Sequence, residues 1–185
     1  MLAIGCDHGG FALKNAVKEY LDQKQIPYKD FGTFSEESVD YAPIAAQVGK
    51  AVAAGTYEKG LLFCGTGVGI SIAANKVKGI RAACCSDAYS AEYTRRHNDA
   101  NILCLGGRVV SKEQAINLVQ LFLDTPFEGG RHARRICLLY TSLKCRDLLF
   151  LHFIQFAIQR RKSDKKLTGS EKSGNNWIFA PMGLL

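Results

Sequence analysis

The chain has 185 residues, of which 47% are hydrophobic and 22% charged, proportions typical of a soluble globular protein. Its net charge of +7 would suit a nucleic-acid-binding protein, but most of the excess lies in residues 137–185 and says little about the rest of the chain. Seven cysteines with no C-x-x-C pair argue against a disulfide framework and against the usual redox motif.

Short apolar runs alternate with amphipathic runs as far as about residue 125. Five of the apolar runs are predicted strands, at 2–6, 28–31, 60–64, 80–85 and 102–106. Apolar residues at helical spacing predict helices between them, at 13–21, 44–52, 68–77, 90–98 and 112–124. The alternation predicts an α/β fold, a three-layer Rossmann-like sandwich with a five-stranded parallel sheet. Ligands of such sheets bind beyond the carboxyl ends of the strands, here just after residues 6, 64, 85 and 106.

Residues 137–185 are predicted to be an irregular, basic tail that follows a domain at 1–136. No sixth strand–helix unit can be identified there, and 163–176 has the Gly, Ser and Lys content of a disordered linker. Three interpretations stay open: a weakly ordered extension, sequence foreign to the domain, or a helix that binds a membrane surface or a partner. Because a strand is predicted from residue 2, we expect no signal peptide and a cytoplasmic location.

The stretch CGTGVGIS at 64–71 places a glycine-rich turn directly after the third predicted strand. A P-loop needs a lysine directly after its glycines, but the next lysine is Lys76, and Ile70 stands where a dinucleotide-binding turn has its third glycine. The backbone amides at 65–70 could still hold a phosphate or an oxyanion, and the positive end of a helix favours a thiolate at Cys64. This predicts acyl transfer or removal of a carbon-bound proton next to a carbonyl. A buried structural cysteine is the alternative.

Other polar side chains follow the remaining strand ends. Asp7 and His8 come directly after the first strand, where they could transfer a proton and bind an anion, or serve only as a helix cap and a surface histidine. His97 and Asn98 lie at a helix end just before the fifth strand. Arginines that could bind a phosphate follow two glycine pairs, at Arg108, Arg131 and Arg135. The last two are four residues apart and would share one helix face; a solvated basic helix is the alternative.

Together these stretches resemble the type B ribose-5-phosphate isomerase family, which also includes galactose-6-phosphate and allose-6-phosphate isomerases. The matching segments follow the family's order over residues 1–136: GCDHGGF, VDYAP, CGTGVGISIAANK, GIRAA, RRHNDAN, GGRVV and EGGRHARR. The resemblance implies an isomerase that interconverts ribose 5-phosphate and ribulose 5-phosphate through an enediolate, without a metal or another cofactor. A six-carbon sugar-phosphate isomerase and a non-catalytic sugar-phosphate or nucleotide binder are the alternatives.

The resemblance also implies roles for individual residues. Cys64 would move the proton between C1 and C2, Thr66 would carry the hydroxyl proton, and His97 with Asp7 would open the sugar ring. The remaining matched positions would bind substrate: His8, Arg108, Arg131 and Arg135 at the phosphate, Gly65, Gly67, Val68, Gly69 and Ile70 at the oxyanion, Asn98 at sugar hydroxyls or the oxyanion, and Tyr41 elsewhere on the sugar.

Members of this family form dimers or tetramers whose sites combine two chains. The resemblance therefore implies that Asp7, His8 and Cys64 face His97, Asn98 and Arg108 of a neighbouring copy. No nucleic-acid or membrane partner is expected. The family's short charged C-terminal helix cannot be recognised from residue 137 onward, so the chain departs from the family pattern there.

Overall fold

The structure is a computed structural model that describes residues 1–140, and Met1–Cys137 form one compact unit. Its strands are β1 (Leu2–Cys6), β2 (Tyr28–Asp30), β3 (Lys59–Cys64), β4 (Ala82–Cys84) and β5 (Ile102–Gly106). Its helices are α1 (Phe11–Gln23), α2 (Tyr41–Ala53), α3 (Val68–Ala74), α4 (Ala88–Asn98) and α5 (Lys112–Asp124). A short 3₁₀ turn (His8–Gly10) precedes α1. The predicted strand–helix order is confirmed.

Several element boundaries differ from the prediction by a few residues. Strand β4 is shorter than the predicted 80–85 and consists of Ala82–Cys84, whose first residue is bonded at both its amide and its carbonyl by the Asn75 side chain, each at 2.8 Å. Residues 131–140 are helical, and the compact unit Met1–Cys137 ends one residue beyond the predicted domain end at residue 136. The domain boundary itself stays a prediction. The rest of the predicted tail lies outside the described residues. In the described part of the chain, no helix is long and apolar enough to cross a membrane.

The five strands form one parallel sheet in the order β2-β1-β3-β5-β4. From β1 the chain continues to β2 on one side of the sheet, whereas from β3 it continues to β4 on the other side. The connections therefore diverge between β1 and β3, and the carboxyl ends of these two strands border a crevice where ligands of open α/β sheets bind. Register brings Cys6 beside Phe63 and Cys64 beside Gly106 at this edge.

Each face of the sheet has its own apolar core, as alternation of side chains along buried strands requires. One core contains Ile4, Leu61 and Leu103 and is covered by α1, α4 and α5. The other contains Leu62 and Cys64 and is covered by α2 and α3. The Cys64 side chain therefore projects from the sheet on the side covered by α2 and α3.

Two glycines allow the loops at the carboxyl edge to approach one another closely. A Cβ on Gly10 would collide with the Phe63 backbone, and one on Gly107 would collide with the Gly9 carbonyl oxygen. The loops after β1, β3 and β5 are thus in direct backbone contact, which holds their side chains at one place.

A buried ion cluster, which the sequence patterns did not reveal, joins α1 to β2. The Lys14 side chain is fully buried, and its Nζ donates to Asp30 Oδ1 at 2.9 Å and to the Thr33 carbonyl at 2.6 Å. Lys18 Nζ donates to the other Asp30 oxygen at 2.9 Å. Because a buried cation is costly unless it is paired, this cluster ties the loop after β2 to α1.

Candidate active site

The turn after β3 wraps its backbone around the Cys64 sulfur. The side chain is buried, and Gly67 N donates to its Sγ at 3.1 Å. Gly67 has a φ of 79°, and a Cβ there would lie 2.9 Å from both Cys84 Sγ and the Leu105 carbonyl carbon. Glycine is therefore required both by conformation and by space. An N–H donor aimed at sulfur stabilises negative charge on it, which suits a base.

Two of the amides predicted to hold an oxyanion have partners inside the turn. The Gly67 amide donates to the Cys64 thiol at 3.1 Å, and the Val68 amide lies 3.4 Å from Thr66 Oγ1. The oxyanion contacts themselves stay a prediction.

Other described cysteines are held in the neutral thiol form. Burial raises the pKa of Cys6 to about 11 and that of Cys85 to about 12. Burial also raises the pKa of Cys104 well above its ordinary value. Cys84 is exposed, and partial burial together with the nearby Cys64 raises its pKa as well. These thiols are poor bases at neutral pH.

Asp7 and His8 are fixed by backbone contacts at the end of β1. The Asp7 carboxylate is buried and accepts from Gly10 N at 3.0 Å, so it caps the 3₁₀ turn. His8 Nδ1 accepts from Val39 N at 3.2 Å. A neutral His8 ring therefore carries its proton on Nε2, where it can donate to a bound oxygen.

These side chains meet in a cavity of about 300 Å³. Its lining comes from the turns after β1, β3 and β5, the end of β3 and the first residues of α2 and α3: Asp7, His8, Gly9, Tyr41, Cys64, Gly65, Thr66, Gly69 and Arg108. Tyr41 reaches it by packing on Gly69, where a Cβ would lie 2.8 Å from the tyrosine ring. One chain thus joins a thiol, a carboxylate, an imidazole and a guanidinium around a single space.

Arg108 does not lie where the resemblance placed it. It was expected to reach the site of a neighbouring copy, but its guanidinium lies 3.6 Å from the position of a Cβ on Gly65 of its own chain. The reason is a pair of backbone hydrogen bonds, from Gly107 N to Cys64 O at 2.8 Å and from Arg108 N to Gly65 O at 3.0 Å. These bonds fix Arg108 beside the Cys64 turn.

His97 and Asn98 line a different hollow of about 360 Å³, between the end of β4 and α4. It shares no lining residue with the Cys64 cavity. Arg131 and Arg135 are exposed on the helix at 131–140, and within residues 1–140 no hydrogen bond or ion pair joins either of them to His8. Within one chain, the predicted site residues therefore fall into two groups.

The sequence patterns missed the surroundings of His97. His132 is buried and stacks on the His97 ring, and Glu128 lies beside both imidazoles. One indication for His132 was available from the sequence: it lies in the segment GGRHARR, between Arg131 and Arg135, which were predicted to bind phosphate. Nothing local to EGG at 128–130 predicted a role for the glutamate.

Comparison with known proteins identifies the chain's relatives. The sequence pattern of the Ribose/Galactose Isomerase family matches residues 2–139. The chain belongs to this family. Within the family it is 50% identical over 135 residues to ribose-5-phosphate isomerase B of Escherichia coli, covering 73% of this chain and 91% of that protein.

Solved structures of the Ribose/Galactose Isomerase family share this fold. Ribose-5-phosphate isomerase B of Clostridium thermocellum superposes with a TM-score of 0.76 at 47% identity, covering 78% of this chain and 98% of that one. The Mycoplasma genitalium enzyme, solved with bound ribulose 5-phosphate, superposes with a TM-score of 0.74 at 40% identity, covering 77% and 95%. The predicted three-layer architecture and the family resemblance are both confirmed.

Proposed function

We propose that this chain is an aldose–ketose isomerase that interconverts ribose 5-phosphate and ribulose 5-phosphate. The observation that supports it best is the Cys64 thiol, held by the Gly67 amide in a cavity that also contains His8 and Arg108. A base next to cationic and hydrogen-bonding groups suits a phosphorylated substrate that forms an enediolate. Membership of the Ribose/Galactose Isomerase family points to the same chemistry.

In the proposed reaction the Cys64 thiolate removes the proton from C2 of the open-chain aldose. The electron pair of the broken C–H bond forms the C1–C2 double bond, and the charge moves to O1 as an enediolate. The Cys64 thiol then returns the proton to C1, while the proton on O2 moves to O1 through the Thr66 hydroxyl. Only protons are exchanged, and no oxidant or reductant is consumed.

Phosphate recognition falls to cationic groups in this proposal. Arg108 and the His8 Nε2–H lie in the Cys64 cavity, where they can contact phosphate oxygens. Arg131 and Arg135 would complete the phosphate site. His97, assisted by Asp7, would open the furanose ring, and Asn98 would bind sugar hydroxyls.

The test is a side-by-side rate measurement with ribose 5-phosphate, allose 6-phosphate and galactose 6-phosphate. We expect the highest kcat/KM for ribose 5-phosphate, with ribulose 5-phosphate as the product identified by NMR. Faster turnover of either six-carbon substrate would replace the proposed substrate. Binding of ribose 5-phosphate by calorimetry with no turnover would make the chain a sugar-phosphate binder instead.

We further propose that two copies of this chain form each complete site. The Cys64 cavity and the His97 hollow share no residue within one chain, which supports assembly from two chains. Val68 and Ile72, one helical turn apart on α3, are 50% and 56% exposed, and Val109 is 54% exposed. Apolar side chains exposed together next to a site fit an interface with a second copy.

Co-expression of two inactive variants tests the shared site. Cys64→Ala and His97→Asn should each be inactive alone, but a mixed dimer regains one intact site. Random assembly is expected to restore about a quarter of the normal activity, because half of the dimers are mixed and each has one working site of two. A mixture of mixed dimers, verified by mass spectrometry, that stays inactive would contradict the shared site.

We also propose a cytoplasmic location. All six cysteines in the part of the chain that the structure describes are free thiols, which fits a reducing compartment.

A further inference from the structure

A buried histidine stacks on His97. The His97 and His132 ring centroids are 4.1 Å apart and the planes differ by 5°. Tyr93 packs edge-on against His97, at 4.9 Å and 78°. His132 is only 5% exposed, whereas the His97 side chain is 35% exposed and borders the hollow on α4. His97 is thus the accessible member of the pair, with its ring plane set by two aromatic neighbours.

One carboxylate lies beside both imidazoles. Glu128 Oε2 is 3.8 Å from His97 Nε2 and 3.7 Å from His132 Nε2. Its other oxygen, Oε1, accepts from Arg96 Nη1 at 3.2 Å. The Glu128 amide also donates to the Arg96 carbonyl at 3.1 Å, so the segment after α5 is attached to α4 at this point. The negative charge is therefore held in place beside His97.

His132 remains neutral in this arrangement. Burial, the adjacent His97 ring and Arg131 lower the pKa of His132. Arg131 Nε donates to His132 Nε2 at 3.3 Å, so the proton of the neutral ring lies on Nδ1. Glu128 acts in the opposite direction on the pKa of His132, but burial and the neighbouring cationic groups outweigh it.

A metal ion would be another use for these three side chains, since their ligand atoms lie within 4.8 Å of one another. The stack argues against it. In parallel rings 4.1 Å apart, the lone pairs of the two Nε2 atoms lie in separate parallel planes and do not converge on one point. One ring would have to leave the stack before both could bind the same ion.

We propose that His132 and Glu128 are positioning residues for His97: the His132 ring holds the plane of the His97 imidazole, and the Glu128 carboxylate balances its charge when it takes a proton. This inference rests on the proposed function, in which His97 opens the sugar ring. A general acid or base must be held in one orientation to reach its substrate atom, and both neighbours serve that requirement.

Other charged or titratable groups surround His97 as well. Three of these groups belong to its own helix: Tyr93, Glu92 and Arg96. Glu92 pairs with Arg96 at 2.7 Å. Arg131 and Arg135 come from the helix at 131–140, where both act on His132. Cys84 and Cys85 line the hollow from the end of β4, with raised pKa values that keep them neutral. Glu128 is therefore the carboxylate closest to His97 from outside α4.

Two substitutions at His132 distinguish the contribution of its aromatic ring face from that of its ring nitrogens. His132→Ala removes the stack, and we expect kcat for ribose 5-phosphate to fall by about 10–100-fold. His132→Phe keeps an aromatic face, and we expect it to recover most of that loss. Full activity in the alanine variant would overturn the positioning role. A phenylalanine variant as slow as the alanine variant, with an unchanged melting temperature, would also overturn it.

Two substitutions, one that removes a negative charge and one that removes a positive charge, test the electrostatic role of Glu128. Glu128→Gln removes the negative charge beside His97, so the acid limb of the kcat/KM profile should move to lower pH. Arg96→Gln removes the cation that competes for the carboxylate, so the limb should move to higher pH. Loss of the Arg96–Glu128 ion pair is common to both variants, and only the electrostatic role gives shifts of opposite sign. Shifts in the same direction, or no shift in either, would overturn it.

Side-chain NMR distinguishes this inference from the proposed function. The chain has four histidines, so the His97 signals can be assigned by single substitutions and followed against pH without substrate. Opposite movements of the His97 titration in Glu128→Gln and Arg96→Gln would support the charge role even if ribose 5-phosphate proved not to be a substrate. Absence of turnover together with these movements would reject only the proposed function.

Discussion

Replacement of Cys64 by alanine is expected to lower kcat for ribose 5-phosphate by at least about 10²–10⁴-fold, the contribution of a positioned acid–base group. In the proposed reaction the Cys64 thiolate removes the C2 proton, and Gly67 N donates to its sulfur at 3.1 Å. Steady-state kinetics measures the loss. Deuterium exchange at C2, followed by NMR in ²H₂O, should disappear with it.

Two matched variants separate the base from its surroundings. Cys64→Ser keeps an acceptor for the Gly67 amide but replaces the thiol with a much weaker acid, so it should be nearly as slow as the alanine variant. Cys84→Ser changes the exposed thiol behind the same turn and should keep most of the activity. Fast turnover in Cys64→Ser would show that the sulfur is not the base.

Replacement of Asp30 by asparagine is expected to lower the free energy of unfolding by about 3–5 kcal/mol, the cost of leaving a buried charge without its partner. Lys14 is fully buried, and Asp30 is its charged partner at 2.9 Å. Urea denaturation monitored by circular dichroism measures the loss. Lys18→Met is the matched control: Lys18 is 28% exposed, so its removal should cost less than about 1 kcal/mol.

The same cluster makes stability depend on acid. Burial alone would raise the pKa of Asp30, but the Gly32 amide and the two lysines together hold it below the ordinary value of 3.8. The folded protein therefore favours the ionised carboxyl more than the unfolded chain does. Stability from this group is fully present above that ordinary value and is lost as the pH falls through the lower folded value. The acid-induced loss of stability should be smaller in Asp30→Asn.

The order of strands and helices followed from local periodicity, because buried parallel strands leave continuous apolar runs between amphipathic helices. The place of Cys64 and Asp7 followed as well, since residues after parallel strands must meet at one sheet edge. The short length of β4 did not follow, because an apolar run does not fix how many of its residues pair with β5.

The sequence patterns could not predict which side chains of distant segments contact one another. Lys14 lies at an apolar helical position, yet a lysine in a helix is ordinarily exposed, so only the fold reveals its pairing with Asp30. Arg108 depends on two loop-to-loop hydrogen bonds that no spacing encodes. The stacking of His97 on His132 joins residues 35 positions apart in the sequence.

The position of Cys84 affects how the reactions of this protein with thiol-specific reagents are interpreted. Its sulfur lies 2.9 Å from the place of a Cβ on Gly67, and it is exposed, whereas Cys64 is only 4% exposed. Cys84 is therefore more accessible to an alkylating reagent than Cys64, although its raised pKa slows the reaction, and a group added there would press on the turn that surrounds Cys64. Loss of activity on alkylation does not by itself identify the base in this chain. Covalent labelling of Cys64 is best done in a chain that carries serine at residue 84.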